Sequence, residues 1–220
     1  YSGALGGPIL RDKLWFFTSL QYILTQRDQP TWYFTREWEG WQGLAKLTWQ
    51  VSDANRLIGK YSTTPAEIPG FNAGINWTAS SRGTQEQNTD IWQFELNSVL
   101  SESWLLNVQL GTSNGFLKRY STDQPDTVSG HYNDSTLLWY NAYPYNNSDK
   151  RPRDEVRANA SWFVDELLGS HEFKGGLEYS EMAFDSGSYY PGGAIFYDND
   201  GNASSSWTPR DLNGDGFFNN

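Results

Sequence analysis

The chain has 220 residues, a formal net charge of −10 and 37% hydrophobic residues. The charge argues against a nucleic-acid partner, because phosphate contact wants clustered Lys and Arg. With no cysteine there is nothing to suggest a disulfide framework or thiol chemistry, and no apolar run approaches the roughly 18 residues of a membrane helix.

Seven stretches alternate apolar and polar residues, the pattern of strands with one greasy and one wetter face. Leu14 to Thr25 places Leu14, Phe16, Thr18, Leu20, Tyr22 and Leu24 on one side. Trp41 to Val51 places Trp41, Gly43, Ala45, Leu47, Trp49 and Val51 together, opposite Gln42, Lys46, Thr48 and Gln50. Arg56 to Ser62 offers Leu57, Gly59 and Tyr61, and Asp90 to Leu100 offers Trp92, Phe94, Leu96 and Leu100. Trp104 to Thr112 offers Trp104, Leu106, Val108 and Leu110, with Asn107 and Gln109 opposite. Glu155 to Val164 and His171 to Ser180 keep the same rule.

The connections alternate in length. Short ones run Ser52 to Asn55, Ser101 to Ser103 and Asp165 to Ser170; long ones run Gln26 to Gly40, Thr63 to Thr89, Ser113 to Asp154, and from Asp185 onward. All nine prolines fall outside the seven stretches, as expected of residues that cannot donate to a sheet ladder. On the apolar faces, Trp49, Trp104, Trp162 and Phe173 lie beside the short turns, and Tyr22, Trp41, Tyr61, Trp92 and Tyr179 lie toward the long loops. Amphipathic rings at two levels around an aliphatic band suit two membrane interfaces. The expected fold class is all-β: an antiparallel transmembrane β-barrel sector of about seven meander strands, with short periplasmic turns and long extracellular loops. Seven strands leave two open edges, which hydrocarbon does not tolerate, so the expectation is an incomplete piece of a larger wall.

Three motifs carry a family resemblance. Gly6-Gly7-Pro8-Ile9-Leu10-Arg11-Asp12-Lys13-Leu14-Trp15-Phe16-Phe17 resembles the plug-to-barrel junction of TonB-dependent outer-membrane receptors, closest to the Oar-like branch. Ala45 to Gln50 followed by Ser52 to Leu57 resembles a wall strand and periplasmic turn of such receptors, and His171 to Tyr179 resembles another wall strand. The resemblance implies a junction at 1–12, barrel strands over 13–184 with extracellular loops at 26–40, 63–89 and 113–154, and a further extracellular loop at 185–220. It also implies a plugged barrel of roughly 22 strands in the bacterial outer membrane. Its partners would be outer-membrane lipid, an unknown nutrient, and the TonB complex through a region preceding Tyr1.

Catalytic chemistry is thin. His131 and His171 lack a Cys or second His to complete a transition-metal site and read as solvated or interfacial. No nucleophile elbow or phosphate loop is present, so the chain reads as a non-enzyme. Asp211-Leu212-Asn213-Gly214-Asp215-Gly216 matches the first half of a calcium loop, making Asp211, Asn213 and Asp215 candidate calcium ligands; acidic Asx turns without metal are the alternative. Asp198-Asn199-Asp200-Gly201 repeats the flavour with fewer ligands. Loop aromatics, Trp32 and Trp38 in the first long loop and Trp139 and Tyr143 in the third, are candidate substrate contacts, or alternatively pack the loops on one another. Besides active import, the sequence leaves open a passive porin or structural barrel, and a secreted carbohydrate-binding β-sandwich.

Overall fold

The computed structural model describes residues 1–164 and 169–199, together with the backbone of 202–207. In chain order the strands are β1 (Ser2–Leu10), β2 (Leu14–Arg27), β3 (Arg36–Ser52), β4 (Asn55–Thr63), β5 (Ala66–Pro69), β6 (Gly83–Ser101) and β7 (Trp104–Ser121). They continue with β8 (Gly130–Asn133), β9 (Leu138–Tyr140), β10 (Asn146–Val164), β11 (His171–Met182), β12 (Asp185–Tyr189), β13 (Ile195–Asn199) and β14 (Asn202–Trp207). Single 3-10 turns at Ala79–Ser81 and Pro191–Gly193 are the only helical elements among the described residues.

One large sheet runs β1-β2-β3-β4-β6-β7-β10-β11, every neighbouring pair antiparallel. The fold is therefore all-β, an antiparallel barrel-type sector in meander order. All seven expected strands are present. An eighth, β1, pairs along β2, so most of the segment read as a junction is itself wall. Pro8 sits in β1, at the sheet edge, where a missing N–H is tolerated.

Several strands outrun their sequence pattern at the long-loop end. β6, β7 and β10 reach 19, 18 and 19 residues, and with the longer β2 and β3 and the added β5 they leave loops of 28–35, 70–82 and 122–145. β5 continues β4: Thr63 faces Gly43 and Ala66 faces Gly40, the same register on both sides of Thr64-Pro65. β12 continues β11 in the same way, past a break opposite Pro152. Pro152 lies inside β10, contrary to the expected confinement of proline. Its carbonyl accepts from the Ala183 amide at 3.1 Å, so its missing N–H falls on the side where that ladder is already interrupted. Pro69 likewise closes β5.

The sheet has two unlike faces. Cross-strand rows such as Trp49-Leu57-Leu96-Val108-Ala158-Leu177 and Leu47-Gly59-Phe94-Leu110-Val156-Tyr179 make one face apolar. It is open: Phe94 is 53% exposed and Leu177 83%, and no second sheet or helix among the described residues covers it. The opposite face is polar and internally bonded. Glu95 Oε1 accepts from the amides of Asn97 (2.8 Å) and Asn107 (3.2 Å). Arg157 bridges Glu155 and Glu178, each at 3.1 Å, and Arg153 meets Glu155 at 2.7 Å.

Aromatic levels on the apolar face slide along the ladder. From β3 to β11 the lower level drops four residues, from the row of Trp49 to Phe173, and the upper drops six, from Trp41 to the row of Tyr179. Both shift toward the short turns. The mean drop over the five steps, about one residue per strand, is the stagger of strands that lean roughly 35° from a common normal.

Buried apolar side chains collect at the long-loop end: Ala66, Ile68, Ala142, Tyr143, Ala194 and Ile195. Gly40 is one tight point there, since a Cβ would meet the Pro65 carbonyl at 2.7 Å and the Ala66 Cβ at 2.9 Å. Gly40→Ala is expected to cost about 1–3 kcal/mol of overpacking, whereas Gly59→Ala, whose added Cβ meets only Phe94 at 3.7 Å, should be nearly neutral. Unfolding midpoints of the two variants in detergent check the contrast.

Candidate functional site

Above the large sheet the loops build a small second one, in the order β14-β13-β8-β9. β8 and β9 form a hairpin within the third long loop, whose turn holds Leu137 at φ 58°, a backbone region costly for leucine. β13, from the last segment, pairs parallel to β8 over four residues, from Ile195 beside Gly130 to Asp198 beside Asn133. Gly130 instead lets Pro144 pack against β8, because a Cβ there would lie 2.6 Å from that of Pro144.

The second loop joins at Trp77, which bridges to Trp139. Trp139 donates its amide to the Asn76 carbonyl at 2.8 Å, and its own carbonyl accepts from the Thr78 amide (3.0 Å) and the Ser81 hydroxyl (2.9 Å). The two indoles stack at 5.6 Å and 15°. Tyr132 and Tyr145 also contact Trp139, and Tyr143 contacts Trp77, Tyr145 and Phe71.

This cluster sits over the polar face. Gly83 alternates with Gln85, Gln87, Gln93 and Glu95 along β6, and a Cβ on it would strike Phe71 at 2.8 Å and Tyr143 at 3.0 Å. Arg119, on the same side of β7, holds its guanidinium 5.1 Å from the Phe71 ring and donates to Gln85 at 2.8 Å. The loops thus fold across the hydrophilic side and leave the apolar side bare.

The candidate substrate residues fall in two places. Trp139 and Tyr143 are brought together, Trp139 half-buried and Tyr143 only 6% exposed, so Tyr143 presents little surface to a ligand. Trp38 lies in β3 with its ring against Gly40, and Trp32 sits half-buried in the first loop. The candidate calcium ligands Asp211, Asn213 and Asp215 lie outside the described residues. Among the described residues no group of three or more His, Asp or Glu is arranged to hold a metal ion.

His131, read as solvated or interfacial, is half-buried at the seam between two loops. Its Nδ1 lies 2.7 Å from Oδ2 of Asp198, which is 2% exposed, and its ring stacks on Phe196 at 4.9 Å. The Tyr140 hydroxyl donates to the same carboxylate oxygen. His131 and Asp198 are 67 residues apart, and no local pattern in the sequence announces the pair.

Sequence comparison matches no family model and no curated protein. Among solved structures, the outer membrane transporter YddB from Escherichia coli superposes with a TM-score of 0.68 at 13% identity, over 94% of this chain and 28% of that one. The likeness is one of fold, and the chain spans little more than a quarter of that transporter's length.

Two tyrosines report on the loop layer. Tyr140 is pushed up to about 12 by its hydrogen bond to Asp198, then by burial, and Tyr143 is pushed up to about 12 by burial. A phenol whose folded pKa is raised stabilises the fold fully below its ordinary value of 10.0, and that contribution is lost as pH rises through about 12. Phenolate absorbance should therefore show two groups ionising near pH 12, each removed by Tyr140→Phe or Tyr143→Phe. Titration of both near pH 10 would show that the layer does not close over them.

Proposed function

We propose that this chain is a wall-and-loop sector of a TonB-dependent outer-membrane importer, a transport protein rather than an enzyme. One observation carries the membrane part: an open apolar face bounded by two aromatic levels whose mean drop per strand matches the tilt membrane barrels adopt. The levels stand six to eight residues apart on β11 and β3, about 20 Å once tilt is allowed for, against an apolar band about 25 Å tall in such barrels. Lipid is the natural cover for that face.

The sandwich alternative requires two sheets packed by their apolar faces. Here the second sheet reaches the polar face, at one end only, and the greasy face stays free. Support for import over passive diffusion is narrower: the Gly6 to Phe17 motif and the folding of the loops across the hydrophilic side. In this reading the polar face lines the lumen, the loops guard its outer mouth, and the lumen holds a plug coupled to TonB. The nutrient meets loop aromatics such as Trp32, Trp38 and Trp139, with calcium at Asp211, Asn213 and Asp215 as part of the same proposal.

Arginine placed at Val108, on the apolar face at mid-band, is expected to cost roughly 2–4 kcal/mol of stability in lipid, whereas Arg at the adjacent, oppositely directed Gln109 should cost little. Folding titrations into vesicles measure both. Equal effects at the two positions would sink the membrane assignment.

A further inference from the structure

Four parallel residue pairs are a slender connection between two long loops, and parallel pairing is slightly weaker per residue than antiparallel. Side chains concentrate at that seam. Asp198 of β13 is buried and receives two donors from the third loop, His131 of β8 and Tyr140 of β9. A carboxylate accepts only, so the 2.7 Å contact places a proton on His131 Nδ1. The His131 ring lies between Tyr140 at 5.1 Å and Phe196 at 4.9 Å, and Ile195 beside it is 2% exposed. At the rim the Asp134 amide donates to the Asp198 carbonyl (2.9 Å) and the Ser135 hydroxyl to Asn199 Oδ1 (2.9 Å).

We propose that the third-loop hairpin and the β13 segment open and close as one body, a composite lid over the polar face latched by the Asp198 carboxylate between His131 and Tyr140. Parting the two segments breaks two charge-assisted hydrogen bonds and uncovers Ile195 and Phe196 together, whereas moving them jointly breaks neither bond. The second loop is bound into the same body, through Trp139 to Asn76, Thr78 and Ser81, and it meets the wall at Gly83, whose amide donates to Asn72 Oδ1 at 2.9 Å. The coupling follows from the seam itself; its use as a lid rests on the importer reading.

Hydrogen exchange of the full-length protein in detergent micelles, read by mass spectrometry, tests the coupling without any transported ligand. Asp198→Asn keeps the shape and removes the charge. Peptides spanning 128–142 and 193–199 are both expected to exchange roughly ten- to hundredfold faster, the factor that follows from losing charge-assisted hydrogen bonds, while those from β6 and β7 stay unchanged. Tyr140→Phe removes one donor and should move the same two peptides by about tenfold, which keeps the test open if Asp198→Asn does not assemble. Ser135→Ala, at the rim, should leave both within about twofold. Acceleration of 193–199 alone, or of neither segment, would overturn the proposal. Loss of transport with the coupled exchange intact would instead count against the importer reading.

Discussion

A single-layer sheet with one greasy side cannot stand in water by itself. Each exposed square ångström of that side carries about 25 cal/mol of unrealised transfer free energy, and rows from Leu47 and Trp49 across to Tyr179 and Leu177 present it without interruption. The opposite side makes no such demand, because Glu95, Asn97, Asn107 and the Arg153-Glu155-Arg157-Glu178 chain satisfy one another. Every other feature is arranged around this asymmetry. Loops fold toward the satisfied face, and the small core forms only at the end beyond the upper aromatic level.

That division gives the molecule two stabilising regimes. Through the middle, ladder hydrogen bonds hold the strands, and the apolar face stays open. Toward the loops the logic reverts to that of a water-soluble protein: Ile68 and Ile195 are buried, Tyr143 packs among rings, and polar groups such as Thr84, Asn146 and Asp149 are sequestered with partners. The upper wall belongs to both, with its β6, β7 and β10 segments running on where the alternating pattern has stopped.

The change of regime also explains what could be read from sequence. Alternation of period two was legible from Leu14 to Ser180 wherever one face is apolar and the other polar, so the seven strands, their order and their two unlike sides were all predictable. Past Trp41 and Trp92 both faces become polar and the signal fades, and the upper ends of β3, β6, β7 and β10 therefore read as loop. β1 escaped notice because Gly3, Gly6, Gly7 and Pro8 mask a strand held by its neighbour. Placement of Trp139 beside Trp77, and of His131 on Asp198, depends on contacts between loops more than 60 residues apart, which no local spacing encodes.

The interruptions at Thr64-Pro65 and opposite Pro152 fall within two rows of each other across the sheet, just beyond the upper ring of tryptophan and tyrosine. Between them β6, β7 and β10 stay paired through the same rows, and the Trp41 and Ala183 amides bond across the two gaps. Each gap in one strand is thus spliced by its neighbours, so the rim that carries the loops is held in step with the rows beneath it, from Trp92 down to Trp104.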